Sequence, residues 1–514
     1  MDLVIIDIIS NNYTELDKNI SLFKDKTVLA LTPSGLYYLE NKGIKHISFH
    51  CLISEEKFKD NILKMYSTLL LQNIENNYFK GFFREVAQHV NYLLFVECIL
   101  TYIEKESFNN VIYLTDRQTN SMKNTNISPL LPDYIKFNNI LTITPNSHRI
   151  TIGFIDRIKK YTPTQLFTKL LNKISSSPLS YDWLYINPKA KPINIALDRK
   201  TIVFNISSCF FQHIKETEFV INISEDSLFV NSYLTFLEGK KYIGVVQYRL
   251  LNNKTIFFQH GSYLYQNIFI KYSEIEQADV NLVINDYTKK LFKDLGAKKV
   301  YSVGSMLFNK PIKKKKKEYD FVYITQGHDY IGNLQYIDFP NSLHSFDGNE
   351  LYQRHKKIIK LFGEKFKDKK IIIRVHPVVV TSGVYVPFWE LAEPYPNVSI
   401  DVSIPIHSLI EKSKYIISDY FTTEFINREL HYKRDIILFR GAPTPLPEET
   451  IEDMKKMFIL VDTIDDLEDK ISNIEEITKN RQRYDDIIEY YSSKKCDTKR
   501  IVTEILKKEL NART

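Results

Sequence analysis

Lys370-Ile-Ile-Ile-Arg374-Val-His376-Pro377 is a short β-branched run, flanked by lysines, that ends on an imidazole and a proline. Isoleucines on consecutive positions place apolar groups on both faces of an extended chain, the pattern of a strand buried on both sides in a parallel sheet. Proline biases the residue before it toward extended geometry, so Pro377 fixes the direction of His376. Arg374 and His376, two apart, project to one face of such a strand and form a plausible pair for a diphosphate or a leaving phosphate.

The same kind of run recurs on either side. Leu3 to Ile9, Thr27 to Leu31, Val111 to Leu114, Thr201 to Ile206, Thr255 to Phe258, Val280 to Ile284, Phe321 to Ile324, Tyr415 to Ser418 and Ile436 to Phe439 are each apolar and bounded by polar turns. Amphipathic stretches of helical period lie between many of them, which predicts a doubly wound, mainly parallel α/β protein. The runs fall into two series separated by Phe308 to Glu318, which carries no periodicity. This predicts an acceptor-side α/β domain over 1–310, a second α/β domain over 311–461 and a helical segment of two or three helices over 462–514 that packs back across both.

With 514 residues, 44% hydrophobic and 25% charged, the chain has globular composition and room for more than one core. Cys51, Cys98, Cys209 and Cys496 stand far apart, without the spacing of a zinc site or a disulfide framework, and fit a reducing compartment. The opening Met-Asp-Leu-Val-Ile-Ile reads as a strand rather than a secretory leader, so a cytoplasmic location is expected. Val90 to Ile103 is interrupted by Asn91 and Glu97 and is shorter than the roughly 20 residues of a membrane span, so it reads as a buried helix. The net charge of +7 is modest, but Lys313 to Lys317 is a concentrated run. Charge runs are usually solvated linkers; the sharper reading is a peripheral contact with anionic headgroups at the inner membrane face, suiting a lipid-linked acceptor.

Ligands of open α/β sheets bind beyond the carboxyl ends of the strands, which directs attention to two more strand ends. Thr255-Ile-Phe-Phe-Gln259-His260-Gly261 ends on a histidine able to take a proton near neutral pH, followed by a glycine that permits a tight turn. Tyr415-Ile-Ile-Ser418-Asp419-Tyr420-Phe421-Thr422-Thr423-Glu424 reads as a strand, a polar turn and a helix start, where hydroxyls and free amides make a phosphate site. Each element by itself has a structural reading, a strand-end histidine in the core or a helix cap.

Taken in order, these motifs resemble the bacterial CDP-glycerol glycerophosphotransferases, the teichoic acid and capsule polymerases, and related surface-polysaccharide glycosyltransferases of the GT-B fold. The resemblance covers about residues 255 to 440: Gln259-His260-Gly261, then Leu282 to Gly296 running to Val303-Gly304-Ser305, then Arg374-Val-His376-Pro377, then Ser418-Asp419-Tyr420-Phe421-Thr422-Thr423. A threonine pair after Phe421 stands where that family has paired serines. The His-Pro motif followed by a hydroxyl pair is also similar to bacterial sialyltransferases and other CMP-sugar enzymes.

The resemblance implies two Rossmann-like domains facing a cleft and a nucleotide-activated donor, CMP- or CDP-linked. His260 would be the catalytic base and His376 would bind the donor phosphate. Arg374, Ser418, Thr422, Thr423 and Glu424 would hold phosphate or nucleotide, with Gly304 and Ser305 at the crossing between domains. Gln259, Gly261 and Asp419 would line the cleft. No Asp-x-Asp motif stands in a suitable place, so no metal or other cofactor is expected, and the acceptor would be a glycan or lipid-linked glycan rather than nucleic acid. A non-catalytic nucleotide- or polyanion-binding protein, or a nucleotide-sugar epimerase, would show similar architecture.

Overall fold

Three parallel sheets and one hairpin carry the described part of the chain. The structure is a computed structural model that describes residues 1–53, 95–96, 98–116, 135, 137–142, 193–197, 200–204, 256–259, 271, 275, 278–304, 316–325, 348–376, 385–419, 429–430, 434–440, 448–494 and 496–511.

The first sheet comprises β1 (Asp2–Asp7), β2 (Thr27–Ala30), β3 (Ile47–Ser48), β4 (Asn110–Thr115) and β5 (Asn139–Thr142), all parallel in the order β3-β2-β1-β4-β5. Between its strands run α1 (Tyr13–Lys18) and α2 (Pro33–Asn41). Thr32 caps α2 by accepting from Gly35 N, and Pro33, which has no N–H to leave unpaired, opens the helix. Residues 98–106 are helical and bury Ile99 beside Phe95 and Val96, in keeping with a buried helix in this part of the sequence. β6 (Ile193–Leu197) and β7 (Lys200–Phe204) form an antiparallel hairpin, a departure from the parallel pattern.

β8 (Ile256–Phe258), β9 (Val280–Val283) and β10 (Val300–Ser302) make the second sheet, in the order β10-β9-β8. α3 (Asp286–Asp294) follows β9, capped by Asn285, and packs Leu291 and Phe292 against Val283 and Val300.

The third sheet holds β11 (Tyr319–Ile324), β12 (Ile371–Arg374), β13 (Val398–Asp401), β14 (Ser413–Ser418), β15 (Ile436–Phe439) and β16 (Ile459–Val461). Its order is β13-β12-β11-β14-β15-β16, all parallel. α4 (Gly348–Lys365), α5 (Phe388–Ala392), α6 (Ile406–Lys412) and α7 (Glu448–Met457) alternate with these strands, as doubly wound topology requires. Isoleucines 371, 373, 417 and 437 bury one face; Val322, Ile372, Ile416 and Ile436 bury the other.

The terminal segment forms four helices: α8 (Ile464–Ser472), α9 (Ile474–Asn480), α10 (Asp485–Tyr491) and α11 (Thr498–Asn511). α8 is not part of a crossing arm. Leu467, Ile471 and Ile474 join the core of the third sheet, so its helical layer continues past residue 461. Crossing begins at α10. Its Tyr491 hydroxyl donates to Asp453 on α7, while its ring stacks on Tyr287 of α3 at 4.3 Å and its carbonyl accepts from Asn285. Lys494 N then donates to Ile284 O, and Cys496 Sγ lies 2.9 Å from Val303 O.

α4 ties the third sheet to the first. Asn349 Nδ2 donates to Ala30 O, and Glu40 on α2 accepts from Tyr352, Gln353 and Lys356. Beyond the strand ends, Tyr385 N donates to Ile9 O at 2.8 Å. The carboxyl edges of the first and third sheets are therefore turned toward each other, and one cluster of buried side chains runs from Val4 and Leu36 to Tyr352 and Ile373. The fold is thus the expected pair of opposed doubly wound α/β units with C-terminal helices packed across. Among the described residues no helix is long and apolar enough to cross a membrane.

Candidate functional site

Strand order in the third sheet reverses between β11 and β14, and a crevice opens beyond the carboxyl ends of two strands at such a reversal. The residues placed there are Thr325, which follows β11, Asp419, which follows β14, and His376, which follows the neighbouring β12.

His376 is held by its main chain: its amide donates to Thr325 Oγ1 at 3.2 Å, and Thr325 N in turn donates to Arg374 O at 3.1 Å. Burial pushes its imidazole down to about 4, Arg374 nearby pushes the same way, and Asp419 opposes both. The ring is therefore neutral at pH 7. It offers a hydrogen bond to a phosphate oxygen, and a full positive charge only after an arriving anion raises its affinity for a proton.

Arg374 sits elsewhere than the pairing with His376 suggests. Its guanidinium lies on Val375 O at 3.3 Å, Asp401 O at 3.4 Å and the Asp401 carboxylate at 3.7 Å, closing the ends of β12 and β13. Burial lowers its proton affinity and Asp401 opposes that, as for an arginine enclosed with its counter-ion. Ser418 is wholly buried and donates to Ile324 O, so its hydroxyl serves the β11–β14 junction.

Asp419 does not line the crevice with its side chain. It is 1% exposed, and one oxygen, Oδ2, accepts from both Tyr323 Oη (2.8 Å) and His355 Nε2 (2.7 Å). Burial pushes its carboxyl up, but the His355 imidazole, Arg354 and the Tyr323 hydroxyl together hold it below its ordinary value. Gln259 is likewise buried: its Oε1 accepts from Ile284 N at 2.7 Å and its Nε2 donates to Thr288, linking β8 to the start of α3 directly before His260. Gly304 has φ +75°, and a Cβ there would stand 2.5 Å from Lys494 O, so the glycine is required where the crossing arm passes. His260, Gly261, Ser305, Thr422, Thr423 and Glu424 lie outside the described residues, as do Lys313 to Lys315 of the lysine run. Lys317 donates to Glu411 O and Ser413 O, a fold contact where the two central strands β11 and β14 begin.

Across the seam, the loop after β1 faces the segment that leads into α5. Asp116 beyond β4 accepts from Ile9 N and Ser10 N and so fixes that loop at the reversal point of the first sheet. Tyr13 and Tyr37, with ring centroids 5.6 Å apart, come together here with Tyr385, whose hydroxyl donates to Glu390. Burial raises the phenol of Tyr37, and the Glu390 charge adds to the shift. Two polar ends on aromatic bodies beside a carboxylate suit the hydroxyls and faces of a sugar ring.

Thr325, Tyr323 and His355 stand at or behind the strand reversal and are not singled out by the motifs. Thr325 has a sequence signal, a polar residue directly after the apolar run Phe321 to Ile324. His355 has none, since a histidine among the lysines of an amphipathic helix reads as surface. Among the described residues no group of three or more His, Cys, Asp or Glu side chains is placed to hold a metal ion.

No family model matches the sequence, and no curated protein matches it. Solved structures that share part of its course include Staphylococcus aureus MnaA with UDP, at 11% identity over 78% of this chain and 89% of that one, TM-score 0.34. Methanocaldococcus jannaschii UDP-GlcNAc 2-epimerase with UDP-GlcNAc and UDP matches at 15% identity over 48% of this chain and 67% of its own, TM-score 0.32. The kitacinnamycin glycotransferase matches at 10% identity over 98% of both chains, TM-score 0.29. Likeness of this extent fixes neither the activity nor the ligand of this chain.

Proposed function

We propose that this protein transfers a sugar or polyol phosphate from a nucleotide-activated donor, CMP- or CDP-linked, to a growing surface glycan. The observation that supports this reading most is the meeting of Thr325, His376 and the chain leaving β14 where the strand order of the third sheet reverses. The donor phosphates lie against His376 and the Thr422 to Glu424 segment. The acceptor enters from the first sheet, its sugar rings against Tyr13, Tyr37 and Tyr385.

In the reaction an acceptor hydroxyl oxygen forms a bond to the electrophilic centre of the donor, the anomeric carbon or the phosphorus, and gives its proton to His260. The bond from that centre to the nucleotide phosphate oxygen breaks, and the oxygen leaves with the electron pair. His376 donates a hydrogen bond to the leaving phosphate, which stabilises charge as it develops. No residue assigned here requires a metal, so turnover is expected to persist in chelator.

Release of CMP or CDP from a set of CMP- and CDP-linked donors, with and without a glycan acceptor, tests the proposal. Acceptor-dependent release that is lost in His260→Ala while nucleotide binding persists is the expected result. Consumption of a nucleotide-sugar without acceptor and without release of free nucleotide would instead assign an epimerase. Release unchanged in His260→Ala would remove that histidine from the base role.

A further inference from the structure

Three elements of the third sheet meet on one buried oxygen. Tyr323 comes from β11, His355 from α4 and Asp419 from the end of β14, and both donors bond Asp419 Oδ2. None of the three side chains is reachable by a substrate: His355 and Tyr323 are 0% exposed and Asp419 is 1% exposed. Packing closes around the imidazole as well, with Phe388 5.3 Å and Tyr323 5.8 Å from its centroid. Buried charge is costly, and a carboxylate enclosed this way stays in place only while its partners hold it.

The place of this carboxylate gives the bond more than a packing role. Asp419 is the first residue beyond β14 at the reversal of strand order, so the bonds to its side chain hold the carboxyl end of that strand. Its charge also acts on His376, drawing that imidazole toward the protonated form against Arg374. Within six residues before His355, Asn349 and Tyr352 of the same helix bond Ala30 O of the first sheet and Glu40 of α2. One helix thus connects the first sheet with the carboxyl end of β14.

We propose that His355 is a positioning residue of the donor site, acting through Asp419 to fix the chain where it leaves β14. This rests on the donor reading above for its ligand. The geometric part of it does not depend on any ligand.

The test compares His355→Leu, of similar bulk but without a donor, with His355→Gln, which keeps an N–H toward Asp419. The probes are CMP, CDP and UDP by calorimetry, and hydrogen exchange over residues 413–419. A lost hydrogen bond to a buried charge predicts nucleotide affinity about 10-fold or more weaker in His355→Leu and within about 3-fold of wild type in His355→Gln. Exchange over 413–419 quickens by about 10-fold or more relative to β12 in the leucine variant alone. A purely structural histidine would lower the melting temperature of both variants without this split, and equal affinity and equal exchange in the two would overturn the proposal. If His355→Leu does not fold, Tyr323→Phe removes the second donor to the same oxygen at constant shape, and unchanged exchange there overturns it equally. Wild type that binds no nucleotide defeats the donor reading, and the exchange comparison then decides the role of His355 alone.

Discussion

His376 is the residue whose chemistry is most exposed to measurement. Its imidazole is held at about 4 against an ordinary 6.5, so between these values the unfolded chain binds a proton that the folded chain refuses. The stabilisation from keeping it neutral is complete above about pH 6.5 and is lost as pH falls toward 4. His376→Gln is expected to flatten the melting temperature over that window relative to wild type; parallel curves would show that the imidazole does not titrate there. A phosphate bound beside the ring reverses the balance, because the anion favours imidazolium. Nucleotide affinity should then rise as pH falls from 6.5, with proton uptake measurable as buffer-dependent heat. At this scale sequence reading singled out the end of β12 and the end of β14, and two of the polar groups expected there serve the fold instead. Arg374 is taken up by the Val375 and Asp401 carbonyls and the Asp401 carboxylate, and Ser418 by Ile324 O; Asp401 and Ile324 lie in strands remote in sequence.

At the scale of elements, the ten apolar runs named from sequence are all strands, within two residues at either end, because runs rich in β-branched and aromatic residues bounded by polar turns leave little alternative. β3, β5, β6, β10, β13 and β16 escaped notice. Apart from β6, each has four residues or fewer, and β5 carries mostly exposed side chains, so neither length nor alternation marks it. Packing of α4 shows the same dependence on remote partners. Gly363 lies on its buried side, and a Cβ there would stand 2.1 Å from the Tyr395 ring. Alanine is intrinsically better than glycine in a helix by about 1 kcal/mol. The ring has to move to admit it, and the net effect of Gly363→Ala is expected to be a loss of about 1–3 kcal/mol in denaturant unfolding. Partial recovery in Gly363→Ala with Tyr395→Ala would identify the ring as the cause; a stabilised single variant would contradict the packing.

At the scale of the whole molecule, doubly wound topology was legible in the alternation of runs, while the facing of two domains was what the family resemblance implied. The way the units are joined was not. Glu40 is an ordinary helix-surface glutamate in sequence, yet Tyr352, Gln353 and Lys356 converge on it across the seam. Glu40→Ala leaves the largely buried Tyr352 hydroxyl without its acceptor and is expected to cost about 1–3 kcal/mol, read as a lower melting temperature. No change would mean that the Glu40 bonds add nothing to the joint, which is then held by the shared apolar core with the Asn349 and Tyr385 bonds. The crossing arm was anticipated as a segment, but its start at α10 depends on Tyr287, Asn285 and Gly304, which reveal their partners only in the fold.

The donor site at the strand reversal of the third sheet is tested most directly by a thermal-shift panel of CMP, CDP, UDP, GDP and TDP. Wild type and a His376→Ala, Thr422→Ala double variant are compared. A ligand that binds only the folded state raises its melting temperature in proportion to affinity. Stabilisation of wild type by a cytidine nucleotide, lost in the double variant, is the predicted result. Stabilisation that survives in the variant, or none with any nucleotide, would contradict it.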